Sequence, residues 1–273
     1  MKISRRIEVH FSIPAGIREL ILAVCFAGIG LAFPAVAARA AVNVIHRWDM
    51  GATNIAKGDK LGRQVDAPGG YGTPGRKMYG QPDLGTGPNI ELQNSVGAKG
   101  PIYTGNAAPG CTVAMRFTGD AYESLVSSAS INLNYDFGFQ LWVKATDSSD
   151  RMIAYNGNPA KNGCGFIQHD GHFTGLLGGV AFINGPKITP GRWVNLALVV
   201  AGGNTTLYVN GKFCASCKGV PNAPSPAPDG DGFWVGSQRK VQTAYCCVDD
   251  VKIFTFVPGG FATRDLISVE KKR

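Results

Sequence analysis

Between Ile188 and Lys212 the chain reads ITPGRWVNLALVVAGGNTTLYVNGK, and apolar and polar positions alternate twice along it. Val194, Leu196, Leu198 and Val200 fall on one side of an extended segment, with Trp193, Asn195, Ala197 and Val199 on the other. The second run repeats the device: Leu207 and Val209 point one way, and Thr206, Tyr208 and Asn210 the other. Gly202-Gly203-Asn204 supplies the connecting turn and Asn210-Gly211 the exit. No stretch shows sustained helical periodicity, so the pattern predicts an all-β chain with at most a brief helix over Arg264 to Val269. From Gly58 to Gly110 the sequence is rich in Gly, Pro and polar residues, which predicts long loops with one or two short strands. A second loop is expected over Lys218 to Gly232, where the prolines are too many for a central strand.

Several segments in order resemble one known family. VIHRWDMG (Val44 to Gly51) is similar to its first strand and AMRFTGDAYESL (Ala114 to Leu125) to its Phe-x-Gly-Asp strand. FGFQLWVKATDSS (Phe137 to Ser149) resembles its aromatic-rich strand, PGRWVNLALVVAGGNTTLYVNGK its Trp, alternating-strand, Tyr-Val-Asn-Gly signature, and VDDVKIFTF (Val248 to Phe256) its closing strand. The family is the laminin-G-like domain of the concanavalin A-like lectin/glucanase superfamily. The resemblance implies a jelly roll of two antiparallel sheets, and it says less about activity.

Leu20 to Phe33 is an apolar run preceded by Lys2, Arg5, Arg6 and Arg18 and followed by small residues. This predicts a secretory signal peptide over residues 1–40, with small-x-small cleavage sites ending at Ala37 and Ala40. The run is short for a bilayer span, although an uncleaved anchor is the other reading. Residues 41–273 then form a single domain of about 230 residues, a length that one all-β sandwich uses up. Residues 1–39 carry five Lys and Arg against two Glu, so the net charge of +8 falls by 3 to +5. A dispersed excess of that size keeps a protein soluble and is no nucleic-acid footprint; the basic tail Lys271-Lys272-Arg273 reads as a solvated end. The expected location is secreted, periplasmic or cell-surface, with no membrane span in the mature chain.

Six cysteines follow the leader: Cys111, Cys164, Cys214, Cys217, Cys246 and Cys247. An even count in an exported chain predicts disulfides, and spacing allows Cys214 and Cys217 to close a small loop while adjacent Cys246 and Cys247 reach different partners. The sharper alternative is a zinc site built from Cys214, Cys217, Cys246 and Cys247.

Asp249 shares a parity with Val251 and Ile253, which predicts a carboxylate turned toward the core and in need of partners. In the resembled superfamily an Asp before the last strand's Val-x-Ile commonly helps to hold a structural calcium ion; Asp249 matches that position, and hydrogen bonds from a neighbouring loop are the alternative. Asp250 is expected to face outward with Lys252.

Sugar rings lay apolar C–H faces on indole or phenol rings while their hydroxyls bond to amides. Trp142, Gln140 and Lys144 share one strand face, and Trp193, Asn195 and Tyr208 line a neighbouring one, so Trp142, Gln140, Trp193 and Tyr208 are the candidate ligand-binding residues, with core packing as the competing role. QHDGHF (Gln168 to Phe173) brings His169, Asp170 and His172 close together as metal ligands or as a hairpin turn at Asp170-Gly171. The segment after the leader holds three glutamates, Glu91, Glu123 and Glu270, and none sits in the Glu-x-Asp-x-x-Glu motif of the superfamily's glucanases. Serine-hydrolase and phosphate-loop motifs are absent too. The sequence therefore points to a secreted, noncatalytic carbohydrate-binding or adhesion module. An extracellular structural or protein-interaction domain, contacting a cell-surface protein through the 58–110 loops, is the second reading, and a divergent polysaccharide-cleaving enzyme the third.

Overall fold

The alternation from Trp193 to Val209 closes into hairpins because both central residues of each turn take left-handed backbone: Gly202 and Gly203 in the first, Asn210 and Gly211 in the second. Asp170-Gly171 turns a third hairpin in the same way, with His169 opposite His172. A computed structural model of the chain describes residues 42–63, 81–88, 90, 92–94, 100–119, 124–127, 131, 133, 136–224, 232–236 and 243–267. The expected leader with its cleavage sites lies outside these residues, as do Glu91, Glu123 and Glu270.

The chain runs through β1 (Asn43–Trp48), a short helix α1 (Ala52–Ala56), β2 (Gln93–Asn94), β3 (Ile102–Thr104), β4 (Ala114–Arg116) and β5 (Ser124–Ser127). It continues with β6 (Phe137–Ala145), β7 (Arg151–Asn156), β8 (Cys164–His169), β9 (His172–Leu177) and β10 (Ala181–Lys187). Then come β11 (Trp193–Ala201), β12 (Asn204–Val209), β13 (Lys212–Lys218), β14 (Phe233–Gly236), β15 (Cys246–Thr255) and a 3-10 turn (Thr263–Ile267). The turn lies where a brief helix was expected, and α1 carried no sequence signal. Two antiparallel sheets result. One has eight strands, ordered β13-β12-β11-β6-β15-β4-β3 with β1 also against β15; the other has seven, ordered β10-β9-β8-β7-β14-β5-β2. This is the all-β chain that the patterning predicts and the jelly-roll sandwich that the resemblance implies.

The sheets meet through aromatic side chains. Phe139 of β6 packs against Phe166 of β8 at 5.0 Å and Phe233 of β14 at 5.4 Å, and Trp48 of β1 stacks on Phe233 at 4.9 Å. Each is fully buried, and a buried ring of this size contributes about 1.5–3 kcal/mol. Leu196, Leu198 and Val200 point into this core, as the alternation requires, while Ala197 and Val199 join a second apolar layer on the outer side of the eight-stranded sheet. Phe254, Phe256 and Leu266 complete that layer, so the chain after β15 folds back over its own sheet. Gly138 makes room for this: a Cβ there would meet the Phe254 ring at 2.0 Å.

The strand β15 binds three partners. β6 runs along one side; on the other, Cys247 and Val248 pair with β4, and Val251 to Thr255 with β1. Between these halves its register slips. Asp249 faces Trp142 and Lys252 faces Gln140, so three residues of β15 span two of β6, with Asp250 at a left-handed φ of 44°. The strand carries a β-bulge there.

Candidate functional site

The bulge corrects the expected parity of Asp249. Val248 lies in the core before it and Val251 and Ile253 after it, so Asp249 falls on the outer face of the sheet with Cys247 and Trp142. It is buried nonetheless, beneath the loop that precedes β4. Its Oδ2 accepts the Ala108 N–H at 3.0 Å and its Oδ1 the Asp250 N–H at 2.8 Å, and the Cys111 thiol bonds to it as well. Burial, aided by the neighbouring Asp250 charge, raises its carboxyl to about 7. The surrounding groups are N–H and S–H donors. Hydrogen bonds thus occupy both carboxylate oxygens, as the hydrogen-bonded alternative to calcium expects. Asp250, 9 % exposed, accepts from Arg47 at 2.9 Å and pairs with Lys252 at 2.7 Å, so the solvated charge expected there is instead an ion-pair hub.

Of the four candidate ligand residues, two are taken up internally. Gln140 is buried, and its Nε2 donates to Asn195 Oδ1 at 3.0 Å and to the Leu266 carbonyl of the 3-10 turn, which folds over it. Tyr208 packs edge-on to Phe261 at 5.6 Å and to Phe213 at 6.4 Å, within the outer apolar layer. Sequence pattern placed both on the correct face but carried no sign that the end of the chain covers it.

The two tryptophans remain partly exposed on neighbouring strands, to the same degree as Tyr208 but outside the apolar layer that covers it. Trp142 faces Asn195 and Trp193 faces Lys144 across the β6–β11 ladder, which sets the indoles one diagonal step apart, about 7–8 Å between Cα atoms. Asn195 is fixed from beneath: its side chain donates to the Leu141 carbonyl at 3.3 Å and its N–H to Asn210 Oδ1 at 2.9 Å. Lys144 Nζ lies 5.3 Å from the centre of the Trp193 ring, a cation–π contact, and the Trp193 Nε1 is buried with no hydrogen-bond partner among the described residues.

No disulfide joins any two of the six cysteines. Cys214 and Cys217 lie three residues apart on β13, roughly 9–10 Å along an extended strand and past disulfide reach. β13 and β15 are four strand spacings apart, about 19 Å, which overturns the four-thiol zinc alternative. Cys246 and Cys247 do point opposite ways, one into the core and one to the outer face. Burial pushes the Cys164 and Cys111 thiols up to about 12.

His169 and Asp170 meet Asp150 instead of His172: His169 Nδ1 lies 3.1 Å from Asp150 Oδ2, while His172 Nδ1 turns to the Asp170 carbonyl at 2.7 Å. The carboxylates are exposed, as in ordinary surface pairs. At the far end of the sandwich a cavity of about 770 Å³ opens between Phe137, Val200, Pro221 and Phe256. It holds none of the candidate residues. Its Asn43 Oδ1 already accepts from Thr86 at 2.9 Å and its Asp136 from the Gly202 N–H at 3.4 Å, and its two phenylalanines are buried, so a sugar ring finds no exposed aromatic face there to stack on.

Among the described residues no helix is long and apolar enough to cross a membrane. No curated protein matches the chain. Solved structures match its fold: a Trypanosoma rangeli sialidase in complex with the inhibitor DANA has a TM-score of 0.50 and 12% identity, over 82% of this chain and 32% of that one. The binding domain of Paraclostridial Mosquitocidal Protein 1 has a TM-score of 0.51 and 13% identity, over 74% and 50%. The chain thus spans between a third and a half of the length of these relatives, and identities this low speak for fold alone. The laminin G family model described as the concanavalin A-like lectin/glucanases superfamily matches residues 117–258, just over half of the sequence. With the two-sheet jelly roll already established, the match places this chain in the concanavalin A-like lectin/glucanase superfamily as a laminin-G-like member.

Proposed function

We propose that the protein is an exported, noncatalytic carbohydrate-binding module whose site is the outer face of the eight-stranded sheet. The observation that carries this reading is the pair Trp142 and Trp193: two partly exposed indoles at one diagonal step, on a paired ladder. Rigid rings at that spacing offer stacking faces to consecutive pyranose rings at little entropic cost. Asn210, exposed at the hairpin tip and anchored to Asn195, stands beside them as a hydroxyl partner. The superfamily contains both lectins and glucanases, so the fold admits enzyme and binder alike. The absence from the sequence of the paired-carboxylate motif favours the binder.

A glycan-array screen of the purified protein, followed by calorimetry on the best ligand, tests the reading. Saturable binding that falls at least tenfold in folded Trp142→Ala and Trp193→Ala variants supports it. Binding that survives both substitutions places the site elsewhere, and bond cleavage in the same ligand would favour an enzyme.

A further inference from the structure

Beside the tryptophan pair the sheet carries a row of cations with no counter-charge. Reading across four strands, Trp193 of β11 faces Lys144 of β6, Lys144 faces Cys247 of β15, and Cys247 faces Arg116 of β4. These side chains lie on one face, with Lys144 and Arg116 two strand spacings apart, about 10 Å between Cα atoms. Both cations act on the Cys247 thiol between them, lowering a value that burial raises.

Among the described residues no carboxylate lies within salt-bridge distance of Lys144 or Arg116. The neighbouring acids are engaged: Asp249 is buried under the Ala108 N–H, and Asp250 holds Arg47 and Lys252. The face also contains an unmet donor, the buried Trp193 N–H. A buried donor without a partner is unfavourable, and this one lies in the ring that the Lys144 ammonium covers. An ammonium, a guanidinium and an indole N–H are all donors to an anionic oxygen group, and none is an acceptor for a sugar hydroxyl's proton.

We infer that Lys144, Arg116 and the Trp193 N–H form an anion subsite, and that the ligand is an acidic saccharide, bearing a carboxylate or a sulfate on the ring next to the one stacked on Trp142. This rests on the carbohydrate-binding reading and sharpens it to a ligand class. An anion that draws the Lys144 ammonium off the Trp193 ring itself supplies the missing acceptor for the Trp193 N–H.

The test is calorimetry on the full chain with matched oligosaccharide pairs: oligogalacturonate against its methyl ester, and a sulfated oligosaccharide against its desulfated form. The acidic member of at least one pair is expected to bind tenfold or more tightly than the neutral member at low ionic strength. That ratio should fall toward one in 0.5 M salt, and also in the Lys144→Ala/Arg116→Ala double variant shown by thermal melting to be folded. The pair that responds distinguishes carboxylate from sulfate. Equal binding of acidic and neutral members, lost in Trp142→Ala, would overturn the anion subsite and leave the carbohydrate reading standing. A preference that persists in the double variant would also overturn it. No binding of any saccharide by folded protein would overturn both.

Discussion

Asp249 stands directly opposite Trp142 in the β6–β15 ladder, on the outer face of the sheet, and yet its carboxylate is sealed from water by the chain around Ala108. Its folded-state value near 7 lies above the ordinary aspartate value of 3.8, so the folded protein binds this proton more tightly than the unfolded chain does. The stabilisation is complete below about pH 4 and is lost as pH rises through about 7, on the order of 4 kcal/mol in all. Asp249→Asn, which never ionises, removes this slope. Urea denaturation between pH 5 and pH 8 should show the variant gaining on the wild type as pH rises; parallel curves would show that Asp249 is ionised throughout.

Because N–H and S–H donors satisfy Asp249, chelation should leave the protein unmoved. Melting in EDTA and in millimolar calcium is expected to give the same Tm within a degree or so. A clear rise with calcium would mean that the Ala108 loop opens to admit the ion.

Gln140 and Trp142 are two residues apart on one strand face, and their substitutions should separate cleanly. Gln140→Ala strips hydrogen bonds from Asn195 and the Leu266 carbonyl and is expected to cost about 1–3 kcal/mol of stability with little change in ligand affinity. Trp142→Ala should do the reverse. Paired melting and binding curves decide, and a large affinity loss in Gln140→Ala would return that residue to the site.

Thiol alkylation of the native protein should reach Cys214 first, since it is exposed on the edge strand β13. Cys164 and Cys246 face the core and should label only on unfolding, with Cys164 further protected by a thiol held near 12. Peptide mapping by mass spectrometry reads the order, and would equally reveal a disulfide.

Truncating Trp48 removes an indole that stacks on Phe233 and donates to the Ile90 carbonyl at 2.9 Å. Trp48→Ala is expected to cost about 3–5 kcal/mol in chemical denaturation. A loss below 1 kcal/mol would mean that the sandwich collapses into the space.

The sequence announced strands wherever both faces differ in polarity, as from Trp193 to Val209, because a period of two survives in the residue order. It misled at Asp249. A single extra residue reverses the parity of everything beyond it, and the available sign was the Asp-Asp pair itself, a residue type that tolerates left-handed backbone inside an otherwise apolar strand. The tryptophan pair was legible as a face. The fates of Gln140 and Tyr208 were not, since they depend on Leu266 and Phe261 crossing the sheet from far along the chain. The cation row was hidden for the same reason: Arg116, Lys144 and Cys247 become neighbours only through the strand order.

That strand order also sets a timetable. Among the described residues β15 is the one strand that pairs with β1, and Asn43 waits for Thr255. A ribosome delivers the hairpins β8–β9 and β11–β12 long before that moment, while until residues 251–255 arrive β1 has only the 84–87 segment along its other side. Closing so distant a pair is slow. Its eight-stranded sheet therefore cannot be completed until residues 251–255 have been made, however early its hairpins form.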